Sequence, residues 1–194
     1  MSDPERRARW NNRWTRRDYA DIEPAEVVQR YAYLLPPGGE VLEVACGLGV
    51  NAMHLAASGF KVTAWDYADT AVERLRVEAE KRGVVLRAEA RDVVANPPTP
   101  ASFDAVVITR FLERGLCPHL AAALRPGGIL CYQSFVRETV SDRGPEDQAF
   151  RFMPNELLRL FPGLRVLVFH DEGRAGDPGQ GLRDESLLVA RREG

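Results

Sequence analysis

This 194-residue sequence predicts an α/β domain built on a doubly wound, seven-stranded sheet that is mostly parallel and ends in an antiparallel C-terminal hairpin. Three observations carry that expectation. Short apolar runs alternate with helix-periodic segments along the chain. The first apolar run breaks into a glycine-containing turn that restarts as a helix. The last two apolar runs are joined by residues 170–183, rich in glycine and charge and without helical pattern, which favours an antiparallel pair over another crossover.

The elements follow in order. Residues 6–16 and 24–35 read as helices, and together make residues 1–39 a helical cover. A strand at 41–45 leads to a helix at 51–58, and a strand at 61–65 to a helix at 70–82 that Asp69 or Thr70 can cap and Gly83 can end. Strands at 84–90 and 103–109 and a helix at 116–124 come next. Pro126-Gly127-Gly128 makes a tight turn into a strand at 129–134. A charged insertion at 135–153 precedes a helix at 154–161 and the strands 165–170 and 186–190. A chain of this length holds one domain, 1–194, and is too short for separate cofactor and substrate domains.

The turn after the first strand points to a nucleotide-like ligand. Gly47 and Gly49 remove side chains where the backbone bends, and with Ala52 they satisfy the loose G-x-G-x-x-G/A spacing of dinucleotide sites. Glu43 argues against a dinucleotide: a diphosphate on a helix N-terminus wants positive potential, whereas a sulfonium ligand is attracted by a nearby acid. The bland alternative for Glu43 is an ion pair with an arginine. Asp66, at the end of the second strand, can accept both ribose hydroxyls, and Tyr67 offers a ring beside an adenine. Asp92 can accept an adenine amino proton while the backbone N–H of Val93 meets a ring nitrogen. Three acids at the C-terminal ends of three successive strands lie where open α/β sheets bind ligands.

On these residues the sequence resembles the class I S-adenosylmethionine-dependent methyltransferases, and within them the tellurite-resistance and thiopurine methyltransferase-like group, over nearly the whole chain. The resemblance implies a Rossmann-like sheet, S-adenosyl-L-methionine as cofactor and S-adenosyl-L-homocysteine as product. It matches the first motif to Glu43, Ala45, Gly47 and Gly49, followed by Asn51, the ribose acid to Asp66 beside Tyr67, and the adenine motif to Asp92-Val93, while Cys46 joins the cofactor-binding set as a small side chain inside the same turn. It also implies that Trp10-Asn11-Asn12-Arg13-Trp14 folds over cofactor and substrate, which adds Arg13 and Trp14 to the cofactor-binding set. Ala45 stands where many relatives have glycine, and Leu48 and Val50 where close relatives often carry arginine.

The fourth strand delivers Thr109, Arg110 and Phe111 to the same edge, Thr109 beside the cofactor and Arg110 and Phe111, with Tyr19, toward the substrate. No Asn/Asp-Pro-Pro-Tyr/Phe run follows that strand, and no acid cluster near Asp104 offers oxygen ligands for magnesium. The expected partner is a small-molecule methyl acceptor. A thiolate, selenide or telluride needs little help from a base, so no catalytic residue is assigned. Carboxyl, hydroxyl and small amine acceptors remain open, as do a non-catalytic S-adenosylmethionine-binding module and a nicotinamide-dependent oxidoreductase. The insertion at 135–153 reads as a lid whose Phe152 and Met153 line the substrate.

Composition adds constraints. A formal net charge of -2 gives no global case for nucleic acid or an anionic membrane, and the N-terminal arginines read as a solvated helix face. Cys46, Cys117 and Cys131 have no pairing or metal spacing, and with His54, His119 and His170 scattered no metal site is expected. The charged N-terminus lacks a signal-peptide core and no apolar run approaches the ~20 residues a span requires, so the expectation is a cytoplasmic protein, monomeric or homodimeric.

Overall fold

The computed structural model describes residues 3–194. Its helices are α1 (Asp3–Arg16), α2 (Glu26–Tyr31), α3 (Val50–Ala57), α4 (Asp69–Lys81), α5 (Cys117–Ala123) and α6 (Glu156–Leu160). The strands are β1 (Glu40–Val44), β2 (Lys61–Asp66), β3 (Arg87–Ala90), β4 (Phe103–Thr109), β5 (Leu124–Phe135), β6 (Arg165–His170) and β7 (Glu185–Arg191). They form one sheet in the order β3-β2-β1-β4-β5-β7-β6. β7 runs antiparallel to both neighbours and every other pairing is parallel. The order reverses between β1 and β4, so the crevice beyond their C-terminal ends is where such a sheet admits a ligand.

Both faces of the sheet are covered. On one, Val27 and Val28 of α2, Met53 and Leu55 of α3 and Leu75 of α4 pack with Val41, Val107 and Val189. On the other, Leu120 of α5 and Leu157 of α6 pack with Leu42, Val44, Ile108 and Tyr132. Alternation along each strand sorts its side chains between these two cores. Each fully buried leucine adds about 1.5–3 kcal/mol relative to exposure. Among the described residues no helix is long and apolar enough to cross a membrane.

The structure departs from the sequence expectation at three element ends. β3 begins at Arg87 rather than 84: the Val84 N–H donates back to Ala79 O at 2.9 Å, and Val85 is 91% exposed. Apolar character there reflects a turn closing α4, not a strand. β5 begins at Leu124, because the Pro-Gly-Gly stretch is stitched to the chain end, Gly127 N donating to Arg192 O at 2.8 Å and Arg192 N to Gly128 O at 2.9 Å. Neither Asp69 nor Thr70 caps α4 with its side chain; instead Asn11 Oδ1, from α1, accepts the Thr70 N–H at 3.0 Å.

The insertion folds around Arg151, only 5% exposed, whose guanidinium donates to Val136 O at 2.9 Å, Arg143 O at 2.7 Å and Pro145 O at 2.8 Å. Asp184 braces it from outside through the N–H groups of Val140 and Ser141 and the Ser141 hydroxyl. Phe152 does not line a substrate lid: it is fully buried against Tyr132, with ring centroids 5.5 Å apart. Met153 is exposed. Arg151→Ala leaves three carbonyls without their donor and is expected to cost about 1–3 kcal/mol and speed proteolytic cleavage within the loop. Unchanged cleavage in limited proteolysis would remove Arg151 as the organiser of this loop.

Candidate functional site

The glycine turn is shaped by neighbours as much as by its own residues. Ala45, Gly47 and Gly49 all take left-handed backbone angles, φ 55, 55 and 69. That conformation is costly for Ala45 and free for glycine. A Cβ on Gly47 would lie 2.6 Å from the Trp14 indole, and one on Gly49 would strike buried Leu75. Cys46 is buried; its N–H donates to Trp65 O at 2.9 Å, and its carbonyl accepts from Gly49 N at 2.8 Å.

The first two acids build the turn from behind. Asp66 is 6% exposed; Oδ2 accepts the Gly47 N–H at 2.7 Å and Oδ1 the Ala68 N–H at 2.8 Å. Burial raises its carboxyl above the ordinary value, against the lowering effect of those donors. Glu43 does not pair with an arginine. Its Oε1 accepts from Asn51 Nδ2 at 2.8 Å, the same nitrogen reaching Thr109 Oγ1 at 3.0 Å, while Asn51 Oδ1 accepts from Ala25 N at 2.7 Å. Glu43 Oε2 is buried with no hydrogen-bond partner among the described residues. Burial pushes this carboxyl up to about 8, opposed by the Asn51 and Ala52 hydrogen bonds and reinforced by the charge on Asp66.

The third acid closes a cavity lined by Ala45, Trp65, Asp66, Tyr67, Asp92, Val93 and Phe111, and roofed by Arg6 and Trp10 of α1. Asp92 Oδ1 accepts from the N–H groups of Val94 and Ala95, and Oδ2 from Arg6 at 3.1 Å. The Arg6 and Arg7 guanidinium carbons lie 4.6 and 4.3 Å from the Tyr67 ring centre. Arg7 also donates to Tyr67 O at 3.0 Å and meets Asp69 at 3.3 Å. These two arginines therefore latch α1 to the Tyr67 turn while staying partly exposed. Arg74 donates to the carbonyls of Trp14 and Arg17, fixing the far end of the helix. Arg13 is exposed, lying 5.5 Å from the Trp10 ring centre and 5.9 Å from that of Trp14, outside the cavity lining. Trp14 Nε1 and the Tyr19 hydroxyl are buried without partners among the described residues.

Beyond Thr109 the chain turns sharply, with Arg110 at φ 54 and its N–H donating to Gln133 O at 2.9 Å. The Arg110 guanidinium extends to Glu185 Oε1 at 3.5 Å, and Arg143 of the insertion reaches the same oxygen at 3.4 Å. Glu185 Oε2 accepts from Gln133 Nε2 at 2.6 Å, and Gln133 Oε1 accepts the Val27 N–H at 2.8 Å. Phe111 turns away from this cluster into the cavity with the acids. The sequence reading placed Trp10 in the covering segment without assigning it to the site, and it missed Arg6, Gln133, Arg143 and Glu185 as site residues.

The residues fit an adenosyl cation. Behind a glycine turn with no room for a Cβ, Glu43 Oε2 and Trp14 Nε1 are buried without partners among the described residues, and Asp66 and Asp92 share one cavity with apolar walls. An orphaned carboxyl oxygen suits a cationic group, an orphaned N–H suits an acceptor such as a carboxylate, and the acid-lined cavity suits a nucleoside.

Residues 41–128 match the family described as Methyltransferase domain. A ubiquinone biosynthesis O-methyltransferase of Methylocella silvestris is 30% identical over 172 residues, covering 78% of this chain and 67% of that protein. Hemagglutinin 1 of Eikenella corrodens is 34% identical over 139 residues, covering 68% of this chain but 46% of that protein. The chain thus spans two thirds of the first relative and less than half of the second. Among solved structures, TehB from Haemophilus influenzae superposes with a TM-score of 0.73 at 22% identity, covering 90% of this chain and 64% of that chain, a likeness of fold.

Proposed function

The chain belongs to the class I S-adenosylmethionine-dependent methyltransferases, and on that premise we propose that it methylates a small molecule whose nucleophile is a chalcogen anion, a thiolate, selenide or telluride. When bound, S-adenosylmethionine supplies an activated methyl group: the acceptor lone pair bonds to carbon as the carbon–sulfur bond breaks, and S-adenosylhomocysteine leaves. The protein's part is to bind, align and exclude water, and alignment alone can supply about 7–11 kcal/mol. In this reading Asp66 holds the ribose, Asp92 and Val93 the adenine, and Glu43, Asn51 and Trp14 the charged end, with α1 as the roof.

Arg110 carries the acceptor assignment. It is half-exposed, one residue past Thr109, whose hydroxyl shares the Asn51 amide with Glu43. No imidazole stands there: His54 and His119 lie exposed on α3 and α5, and His170 meets the Tyr31 hydroxyl at 3.2 Å. Glu185 is buried and engaged. A nucleophile that arrives ionised, on an anionic acceptor drawn in by a guanidinium, suits these groups better than one needing a base. A phenolic oxygen is the second reading, favoured by the relative named for ubiquinone O-methylation. Incubation with methyl-labelled S-adenosylmethionine and benzenethiol or catechol separates them. Label in the thioether is expected, label in the catechol ether alone would support the second reading, and none in any acceptor would favour a non-catalytic binding module.

Glu43 gives the site a pH dependence. With its carboxyl near 8 in the cofactor-free protein, the group is neutral at pH 7, and a cation beside Oε2 favours the ionised form. Cofactor binding at pH 7 is expected to release about one proton and to strengthen as pH rises toward about 8. The raised value has the opposite sign for the free fold: its contribution to stability is full below the usual carboxylate range and declines as pH rises through about 8. Calorimetry in phosphate and Tris, buffers of different ionisation heat, reads the proton directly. The difference should vanish in Glu43→Gln, and equal heats in the wild type would contradict this role.

A further inference from the structure

We infer that Arg110 and Arg143 form a clamp for a carboxylate or similar oxyanion that the acceptor carries apart from its nucleophile, with Glu185 as the positioning residue that aims both. This rests on the methyl-transfer reading and narrows its substrate class. The two guanidiniums come from elements 33 residues apart in sequence, the end of β4 and the insertion, and converge on one oxygen, Glu185 Oε1. At 3.4 and 3.5 Å these are single-oxygen contacts rather than paired forks. Each guanidinium has five N–H donors, and among the described residues no other side-chain partner holds either one. Their side chains are 40% and 60% exposed, whereas that of Glu185 is 2% exposed.

The buried carboxylate is itself fixed. Gln133 donates to its other oxygen at 2.6 Å, and Gln133 is fixed in turn by the Val27 N–H. The second acid nearby, Asp184, is occupied by Val140, Ser141 and the Ser141 hydroxyl and makes no ion pair with Arg143. Glu185 thus anchors two cations through a single oxygen and leaves most of their N–H donors without a side-chain partner among the described residues. Arg110 adopts a left-handed backbone, φ 54, which is unfavourable for a non-glycine residue. A planar oxyanion bridging two adjacent guanidiniums completes their hydrogen bonding. With Thr109 beside the cofactor turn, such an anchor would hold the rest of a small acceptor at the same edge.

The test uses acceptors differing by one carboxylate, 4-mercaptobenzoate against 4-methylbenzenethiol. Binding to the protein saturated with S-adenosylhomocysteine is measured by calorimetry, and turnover with S-adenosylmethionine is measured in parallel. The carboxylated thiol is expected to bind about tenfold tighter or more. Arg143→Ala should bring that ratio close to one and Arg143→Glu should invert it, with melting curves confirming that both variants fold. Glu185→Gln should reduce the ratio while changing KM more than kcat. Equal binding of the two thiols by the wild type, or a ratio indifferent to both Arg143 variants, would overturn the clamp. An Arg143-dependent preference without any turnover would uphold the clamp and count against the chalcogen acceptor alone.

Discussion

Asp66→Ala is expected to weaken S-adenosylhomocysteine binding by about 100-fold or more, since hydrogen bonds to a charged group are worth about 1.5–3 kcal/mol each and a ribose offers two hydroxyls. The same carboxylate holds the Gly47 and Ala68 N–H groups, so its loss also releases the glycine turn from β2. Asp66→Asn separates the two roles in part, because the amide keeps one acceptor oxygen but presents a donor to one of its former donors. The loss should therefore be nearly as large in Asn as in Ala. A titration following tryptophan fluorescence reads this directly, with Trp14 on the turn and Trp65 in the cavity wall. A weakening below about tenfold would mean that Asp66 serves the turn and not the ligand.

Phe152→Ala is expected to destabilise the fold by about 3–5 kcal/mol, the usual cost of emptying a fully buried aromatic site. Phe152 is wholly buried and packs edge-on to Tyr132, which also meets Phe161 with ring centroids 5.8 Å apart. The vacated volume lies in the core cluster with Tyr132 and Phe161, at the end of the insertion that carries Arg143, so the clamp should loosen with the core. Chemical denaturation measures the loss. A change under about 1 kcal/mol would return Phe152 to a solvent-facing lid.

The legible parts of this chain were those whose signals are local. Val41 to Val44 followed by Gly47 and Gly49 announces a strand, a turn and a helix within a dozen residues, and the fold obeys it. The glycine-rich connection before β7 likewise announced the hairpin. Val84 and Val85 carried strand-like side chains but sit where Gly83, at φ 66, swings the chain into solvent, so composition misled. The cap of α4 was unreadable because Asn11 supplies it from 59 residues away. The Glu185 cluster was hidden for the same reason: Gln133 and Arg143 reach it across 52 and 42 residues, and no spacing rule connects them. Phe152 was misplaced because an aromatic in a charged loop looks the same in sequence whether it faces a ligand or a core.

The site as a whole rests on one premise, that the glycine turn, Asp66 and Glu43 receive an adenosyl cation and not a dinucleotide. Calorimetric titration of the purified protein with S-adenosylmethionine, S-adenosylhomocysteine and NADH tests it most directly. Micromolar binding of the two adenosyl ligands with none for NADH is the predicted result; binding of NADH alone, or of no ligand, would contradict it.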